Sequence, residues 1–366
     1  MIESARCTQR TLPAPCTPAH EYGRAYGMEK AVRYLTLVLT TGCNLRCSYC
    51  YRGESGQHAA MPLDAALDAL SAAHAGGAPF HVQLTGGEPL LEPELLRAII
   101  GHIRRENMTA TVGVQTNATL LSPDMAGFLR EHAVLVGVSV DGAPRIQEKT
   151  RGNARALLRG LAVLETAGAP FRVTTVLVRD TLPGLAELPL FLANYRQAKG
   201  IAFDLPVLKG RMTEAMLPSA GELAEALQKF LRAFETVNTR LRVPLTLREL
   251  ETLLRACRRE AGDAAPAGQR HYCHASRGES LAVGPYGEVR ACGQLTESGQ
   301  THCPDSLPAR PDVNLAGHHL AFAECAACEL RHVCPGDCPS RLLHTPPAAA
   351  RLACALYTTL WRNIHA

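Results

Sequence analysis

Residues 40–51, TTGCNLRCSYCY, place three cysteines within eight positions: Cys43, Cys47 and Cys50. A closed structural zinc site takes four protein ligands, and a disulfide takes two. Three thiols in so short a stretch therefore indicate a metal centre that keeps one coordination position open for another molecule. The apolar stretch before them, RYLTLVLT, predicts a β-strand, so the thiols follow the end of a strand.

The length and charge of the chain exclude several classes of protein. Its 366 residues suffice for one large barrel and a smaller module. The formal net charge of +4 is small and does not indicate a nucleic-acid or membrane partner. No apolar run reaches about 18 residues, and no secretory signal is evident. We therefore expect a cytoplasmic protein in which the clustered thiols among its 14 cysteines bind metal or react instead of forming disulfides.

Apolar strands alternate with helical stretches from the cysteine segment to about residue 245. The six predicted strands are RYLTLVLT, FHVQL, TATVGVQT, VLVGVSV, FRVTTVLV and IAFDLPV. Such alternation is typical of parallel β/α units, and six units are too few for a closed eight-stranded barrel. The sequence therefore predicts an α/β fold with a partial (β/α)6 barrel over residues 31–245, after an N-terminal extension over residues 1–30.

Polar residues follow the predicted strands, where the chemistry of parallel barrels is found. A TGGEP turn follows the second strand, and the fourth strand ends in SVDG. Each is an ordinary turn by itself, and only their joint position at successive strand ends indicates a site. These positions include Gly86, Gly87, Glu88, Asn117, Ser139, Asp141 and Asp204.

The alternation stops after about residue 250, and Gly, Pro, His and Cys become frequent. Such a segment builds a poor hydrophobic core, and metal ligation is the usual substitute. A pair of zinc sites is one interpretation, since thiolate-only sites serve zinc and iron alike. We expect a cysteine-rich domain over residues 246–366. Its ordered thiols are Cys273, Cys292, Cys325, Cys328, Cys334, Cys338 and Cys354.

The three-cysteine segment, the TGGEP turn and the cysteine-rich tail together resemble the radical S-adenosylmethionine (SAM) superfamily, and within it the enzymes with a SPASM domain. The resemblance runs from about residue 32 to the end. It implies that Cys43, Cys47 and Cys50 hold a [4Fe–4S] cluster whose fourth iron binds SAM. Reductive cleavage of SAM then yields a 5′-deoxyadenosyl radical that abstracts a hydrogen atom from the substrate.

The resemblance also implies which residues contact SAM. Glu88 is similar to the residue that faces the SAM ammonium, and Arg151 suits a carboxylate because its guanidinium binds in bidentate fashion. A solvated arginine and a turn asparagine are the ordinary interpretations of Arg151 and Asn117. The other implied contacts are Tyr49 near the adenine, Asn117 and Ser139 near the ribose and carboxylate, and Gly86 and Gly87, which let a ligand approach the backbone.

A SPASM-type tail implies two auxiliary [4Fe–4S] clusters, and hence three clusters in the chain. Since Cys334 and Cys338 lie close along the chain but would serve different clusters, the two cluster sites should be structurally linked. The first cluster would use Cys273, Cys292 and Cys338, and the second would use Cys325, Cys328, Cys334 and Cys354.

The first auxiliary set lacks a fourth thiol. Cys257 on the predicted helix LRELETLLRACRRE, Cys303 and an open iron position remain alternatives for it. Ordinary burial is the other interpretation of both cysteines, since free cysteine packs as a small hydrophobe. Cys7 and Cys16 are expected to be free thiols on the N-terminal extension.

The complete set of tail thiols favours a peptide or protein substrate, as in most SPASM-type relatives. We expect net oxidation of a side chain by crosslinking or dehydrogenation, as in the maturation of ribosomally synthesised peptides. Alternatives are a radical SAM alcohol dehydrogenase for small molecules, sulfatase-maturase-like formylglycine formation and, remotely, a non-catalytic iron–sulfur scaffold. Sulfatase-maturating relatives carry Asp after the second tail cysteine, where this chain has Gly293.

The candidate acid–base groups are Asp204, Lys209 and His271, for which surface or structural roles are the alternatives. The reaction needs an electron donor such as flavodoxin or ferredoxin. About thirty residues before the first strand are fewer than a domain needs. We therefore expect a separate leader-peptide-binding protein, or the barrel itself, to recognise a leader.

Overall fold

The computed structural model describes residues 30–53, 58–260, 271–295, 323–344 and 346–365. The predicted N-terminal extension, with Cys7 and Cys16, lies outside them except for its last residue. The described residues form nine strands in one sheet. They are β1 (Tyr34–Val38), β2 (Phe80–Thr85), β3 (Ala110–Thr116), β4 (Leu135–Ser139), β5 (Phe171–Val176), β6 (Ala198–Asp204), β7 (Thr246–Leu247), β8 (Ser280–Val283) and β9 (Val289–Arg290).

The sheet has the order β7-β6-β5-β4-β3-β2-β1-β8-β9. Every neighbouring pair is parallel except β8 and β9, which form an antiparallel hairpin. The first six strands lie side by side in chain order, as parallel β/α units do. The sheet has two edges, β7 and β9, so it does not close on itself. The predicted α/β fold with a partial six-stranded barrel is confirmed.

Proline at the first position begins several of the helices, where its missing N–H costs no hydrogen bond. The helix that follows Ser219 begins with a reciprocal capping box between Ser219 and Glu222. The described helices are α1 (Leu63–Ala75), α2 (Pro93–Arg105), α3 (Pro123–Glu131), α4 (Pro144–Thr150), α5 (Ala154–Ala167), α6 (Leu188–Leu192), α7 (Ala220–Asn238), α8 (Arg248–Glu260), α9 (Pro339–Leu343) and α10 (Pro347–Ile364).

The segment between β5 and β6, which contains the stretch LAELPLFLANYRQ, forms only short helices. A 3₁₀ helix covers Leu182–Glu187, and α6 has only five residues. Pro189 explains the break, because it has no N–H with which to continue the hydrogen bonding of a preceding α-helix.

The two faces of the sheet differ in character. Along β2, Phe80, Val82 and Leu84 are buried, whereas His81 and Gln83 point to the opposite face. The buried face packs against helices such as α2, whose buried residues recur at helical spacing. The opposite face is therefore polar, and it forms the inner side of the partial barrel.

The cysteine-rich tail joins the barrel through the sheet and through a helix. β8 runs parallel to β1, with Tyr34 opposite Ser280 and Leu37 opposite Val283. The long helix α10 packs against α7 and buries Leu356 and Leu360. The tail thiols are thus held against the barrel, and the predicted boundary at residue 245 falls between two parts that share one sheet. None of the described helices is long and apolar enough to cross a membrane.

We predict that Leu360→Ala lowers the free energy of unfolding by about 2–5 kcal/mol, because it leaves a cavity under α10. Leu190→Ala is the control, since the Leu190 side chain on α6 is 65% exposed. Its effect should stay within about 0.5 kcal/mol. Denaturant unfolding of the reconstituted protein measures both. Equal effects would show that α10 does not stabilise the barrel.

Candidate active site

The loop that carries the first three thiols is held against the end of β2 by backbone contacts. The Gly87 N–H donates to the carbonyl of Thr40 and the Glu88 N–H donates to the carbonyl of Gly42, each at 2.8 Å. A Cβ at Gly86 would lie 2.7 Å from the Thr40 carbonyl oxygen, and one at Gly87 would overlap the Gly42 carbonyl. Both glycines therefore permit two backbone segments to touch, and a role in ligand approach stays a prediction.

Glu88 is 1% exposed and joins the end of β2 to the end of β3. Its Oε1 accepts from the Thr116 hydroxyl at 2.5 Å and from the Leu90 N–H at 3.1 Å, and its Oε2 accepts from the Asn117 N–H at 2.7 Å. Burial raises the pKa of Glu88 to about 6, and these donors oppose that rise. Oε2 keeps acceptor capacity for a cation, as contact with a SAM ammonium requires.

Asn117 and Ser139 lie at the ends of β3 and β4 and are both hydrogen-bonded within the protein. Asn117 donates to the Asn44 side chain at 2.9 Å, and its oxygen accepts from the Thr119 N–H at 2.9 Å. Ser139 accepts from the Gln115 side chain at 3.1 Å. Asn117 therefore also ties the cysteine loop to β3, which sequence reasoning missed.

Asp141 is a fully buried carboxylate just after β4 and gathers four donors. The hydroxyls of Tyr49 and Thr150 donate to Oδ2. The Arg151 guanidinium and the Val176 N–H donate to Oδ1 at 3.1 and 3.3 Å. The sequence predicted that Asp141 follows the end of a strand, but it assigned no role to this residue. The structure shows that it connects the cysteine loop to β5 and fixes Arg151.

Arg151 lies over the Tyr49 ring, with its guanidinium carbon 5.4 Å from the ring centroid. Burial lowers the pKa of Arg151, but the Asp141 carboxylate together with Tyr49 and Cys47 raises it above its ordinary value. Burial also raises the pKa of Tyr49, so the phenol stays protonated as a donor. The buried Nε of Arg151 has no hydrogen-bond partner among the described residues. A fixed cation with an unused donor suits an anionic ligand group.

The first thiol group stands beside this network. Cys43 is exposed, whereas Cys47 and Cys50 are half-buried. Burial raises the pKa of Cys47 to about 11, the charge of Arg151 opposes the rise, and the charges of Cys50 and Cys43 add to it. Metal ligation replaces thiol protons, so cluster binding here is coupled to proton release.

A second thiol group lies where the β8–β9 hairpin meets the start of α9. Burial raises the pKa of Cys338 to about 12, and the charges of Cys292 and Cys273 add to that rise. The pKa of Cys292 is also raised by burial and by the charge of Cys273. Cys292 and Cys338 both contact Gln294, and Cys273 lies close enough for its charge to act on both, although it is far from Cys338 along the chain.

A third thiol group contains the other four tail cysteines. Burial raises the pKa of Cys334 to about 11, and the charges of Cys354, Cys328 and Cys325 add to it. The pKa of Cys354 is raised by burial and by Cys325 and Cys328. No set of three or more Cys, His, Asp or Glu side chains in the described part is arranged to hold a single metal ion.

A buried ion pair fixes the short loop between the second and third thiol groups. Arg341 and Asp337 are 1% and 5% exposed, and the Arg341 Nε lies 2.9 Å from Asp337. The same carboxylate accepts from the Cys338 N–H at 2.7 Å. Asp337 thus fixes the backbone at Cys338, four residues after Cys334. Sequence reasoning missed this pair, whose only signal is the i, i+4 spacing.

The three predicted acid–base groups differ in their surroundings. Asp204 is half-exposed and pairs with Arg248 at 3.0 Å. Lys209 donates to the carbonyl of Gln294 at 3.4 Å. His271 has a buried Nδ1 without a partner in the described part of the chain. Their acid–base roles stay predictions.

The predicted fourth ligands of the second group also stay predictions. Cys257 lies on α8 and packs against the hydrophobic core beside Ala256. Cys303 lies outside the described residues.

The match to a known protein family lies in the barrel. Residues 37–185 match the family model of the Radical SAM superfamily. This chain is an enzyme with a radical SAM domain over residues 37–185. The radical SAM match begins in β1 and contains the first thiol group, Glu88 and the Asp141 network. The predicted recognition of this superfamily is confirmed.

The similarity of this radical SAM enzyme to known proteins continues beyond the barrel. The serine-type anaerobic sulfatase-maturating enzyme of Klebsiella aerogenes is 24% identical over 328 residues, which are 82% of this chain and 78% of that protein. Native anSMEcpe with bound AdoMet has a TM-score of 0.70 at 18% identity, over 91% of this chain and 96% of that chain. The same protein is also known with bound AdoMet and the Cp18Cys peptide.

Streptococcus suis SuiB bound to the precursor peptide SuiA has a TM-score of 0.65 at 14% identity, over 91% of this chain and 77% of that chain. At these identities, the two structures establish that this radical SAM enzyme shares their fold. Together with the sulfatase-maturating relative, they support a SPASM-type maturase.

The residues of the first site fit the SAM and [4Fe–4S] cluster that the radical SAM fold uses. Cys43, Cys47 and Cys50 would hold three irons. The unused donor of Arg151 and the free acceptor capacity of Glu88 match a zwitterionic amino-acid group such as that of SAM.

We predict that Asp141→Asn lowers the free energy of unfolding by about 3–5 kcal/mol, because it breaks a buried ion pair. An amide has one acceptor oxygen where four donors need two. SAM binding, measured by equilibrium dialysis, should weaken as well because Arg151 loses its partner. Asp124→Asn is the matched control, since Asp124 is 84% exposed and pairs with Arg97. It should cost about 0–1 kcal/mol. Similar effects of the two changes would contradict the role of Asp141.

We predict a pH-dependent stability difference between the wild type and Glu88→Gln. The folded pKa of about 6 exceeds the ordinary 4.5, so the folded state holds this proton more tightly than the unfolded state. The stabilisation is full below about pH 4.5 and is lost as pH rises through about 6. The wild type should therefore lose about 2 kcal/mol relative to Glu88→Gln across that window in denaturant unfolding. Parallel pH profiles would show that Glu88 does not titrate as described.

Proposed function

We propose that this radical SAM enzyme oxidises a side chain of a peptide or protein by removing two hydrogens. The observation that carries the proposal is the division of the tail thiols into a set of three and a set of four, both held against a radical SAM barrel. The set of three comprises Cys273, Cys292 and Cys338, and the set of four comprises Cys325, Cys328, Cys334 and Cys354.

The inner face of the barrel suits a peptide. Side chains on this face include Tyr34, His81, Gln83, Gln115 and Ser139, which are polar and ordinarily uncharged. Carboxamides and hydroxyls both donate and accept hydrogen bonds, as peptide groups do. The binding of peptides by anSMEcpe and SuiB supports the same class of substrate here.

The positions of the thiols suggest a separate role for each thiol group. Cys43, Cys47 and Cys50 would hold the cluster whose electron cleaves SAM, and SAM would supply the 5′-deoxyadenosyl radical. The substrate gives one hydrogen atom to that radical, and one further electron and one proton must leave the substrate. The tail thiols would hold the two auxiliary clusters, the acceptors of that electron.

The proton requires a base close to the substrate. Among the three predicted groups, Asp204 pairs with Arg248 and Lys209 is engaged by Gln294. His271 has the buried nitrogen without a described partner, and we propose it as the first of the three to test. An external donor such as flavodoxin or ferredoxin would supply the initiating electron, and a separate leader-binding protein would assist a peptide with a leader.

Similarity to a sulfatase-maturating enzyme favours formylglycine formation as a second candidate. The resemblance implies an aspartate base at the position of Gly293. A Cβ at Gly293 would lie 3.1 Å from the Thr36 methyl group on β1, so this position faces the barrel. Because glycine brings no carboxylate to that point, oxidation of another kind of side chain remains our proposal.

We predict that the double change Cys325→Ala and Cys328→Ala leaves SAM cleavage detectable and blocks the oxidised product. The test uses reduced enzyme, SAM and a short peptide encoded beside this chain, with 5′-deoxyadenosine and peptide mass as readouts. The wild type should give a peptide lighter by two hydrogens, with SAM consumed.

The contrasting variant replaces Cys43, Cys47 and Cys50 by Ala and should abolish SAM cleavage itself. Full product from a stably folded Cys325/Cys328 variant would exclude an electron acceptor at the third thiol group. A product of unchanged mass, such as an epimer, would contradict net oxidation.

A further inference from the structure

Gln294 contacts two thiols of the second group and connects them to the barrel. Its backbone N–H donates to the Cys292 sulfur at 3.5 Å. Its side-chain Oε1 lies 2.7 Å from the Ser340 hydroxyl and 3.7 Å from the Cys338 sulfur, and both groups donate to it. Its carbonyl accepts from Lys209, in the loop after β6. One uncharged residue therefore spans the thiol group and the barrel rim.

These contacts change in a defined way when the thiols become cluster ligands. A metal-bound thiolate has lost its proton and can only accept a hydrogen bond. The carboxamide oxygen would then face a sulfur that repels it. Rotation of the amide by half a turn places Nε2 at the same position, where its two N–H groups can donate to the Cys338 sulfur and to the Ser340 oxygen. The Ser340 hydroxyl also interacts with Cys292 and is free to donate there.

We infer that Gln294 is a positioning residue of the first auxiliary cluster, whose carboxamide donates a hydrogen bond to the Cys338 sulfur and raises the reduction potential of that cluster. The inference rests on the proposed function, which assigns a cluster to Cys273, Cys292 and Cys338. A hydrogen bond to a ligand sulfur stabilises the reduced, more negative state, and such bonds are among the known controls of cluster potential.

The location of Gln294 makes this hydrogen bond a large part of the protein environment of the first auxiliary cluster. Its group has three described thiols instead of four, so each sulfur contact is a larger part of the protein environment of the cluster. Lys209 holds the Gln294 backbone from the barrel side. Movement of the loop after β6 on substrate binding would therefore reach the Cys338 sulfur through a single residue.

Potentiometric titration of the reconstituted full-length protein, followed by electron paramagnetic resonance, tests the inference. Gln294→Leu removes the donor, and Gln294→Glu replaces it with an acceptor of similar shape. Both should keep the iron content of the wild type and lower the midpoint potential of one cluster. For Gln294→Leu, we expect about a tenfold change in the reduced-to-oxidised ratio at fixed potential, which is about 59 mV for one electron. Gln294→Glu should shift it further because it adds negative charge.

The matched controls are Gln228→Leu and Gln228→Glu, at an exposed position on α7. They should leave every midpoint potential unchanged. Retained iron with unchanged potentials in both Gln294 variants would overturn the inference and leave the proposed function standing. Loss of iron in both would overturn it as well, because Gln294 would then be a ligand or a folding requirement. Wild-type protein that binds iron only at the first thiol group would overturn the cluster assignment and this inference together.

Discussion

Strand β1 is hydrogen-bonded on both sides by parallel neighbours, and the candidate active site depends on that pairing. On one side β2 ends in the turn whose two glycines touch the loop after β1. On the other side β8 leads into the hairpin that carries Cys292. Because side chains alternate along a strand, a shift of one residue in either register would turn the inner face of β1 outward. The pairing therefore positions the SAM-site thiols and the tail thiols together.

Two buried carboxylates then organise the strand ends in different ways. Asp141 accepts four hydrogen bonds and holds a cation, Arg151, so its charge is matched inside the protein. Glu88 accepts three hydrogen bonds from uncharged donors, and its pKa is raised to about 6 by burial. At neutral pH, the Glu88 carboxylate is thus partly uncompensated. A bound ammonium group would stabilise the ionised carboxylate and lower its pKa, which gives a physical reason for a cationic ligand at this point.

The sequence predicted the parts of the fold that have a local pattern. Six apolar strands and the thiols after the first one were read from the order of residue types, and the sheet has those strands in that order. β8 was not predicted, because the four residues SLAV in a glycine-rich segment have no clear period. Its partner β1 lies more than 200 residues earlier, and local pattern cannot show such a pairing.

The same limit applies to the candidate site. The thiols, Glu88, Asn117 and Arg151 were proposed from motifs, but the role of Asp141 was missed because its partners come from positions 49, 150, 151 and 176. Gly86 and Gly87 were assigned to ligand approach, whereas their nearest neighbours are backbone atoms of the preceding loop. Spacing along the chain identifies candidate residues, and only the fold shows which neighbours they contact.

We propose that one barrel and its tail hold three iron–sulfur clusters, one for SAM and two for electron transfer. Quantitative iron and sulfide analysis with Mössbauer spectroscopy on anaerobically reconstituted protein tests it most directly. The account predicts about twelve irons per chain in three four-iron clusters, with about a third lost when Cys43, Cys47 and Cys50 are replaced by Ala. About four irons per chain in the wild type, all lost in that variant, would contradict it.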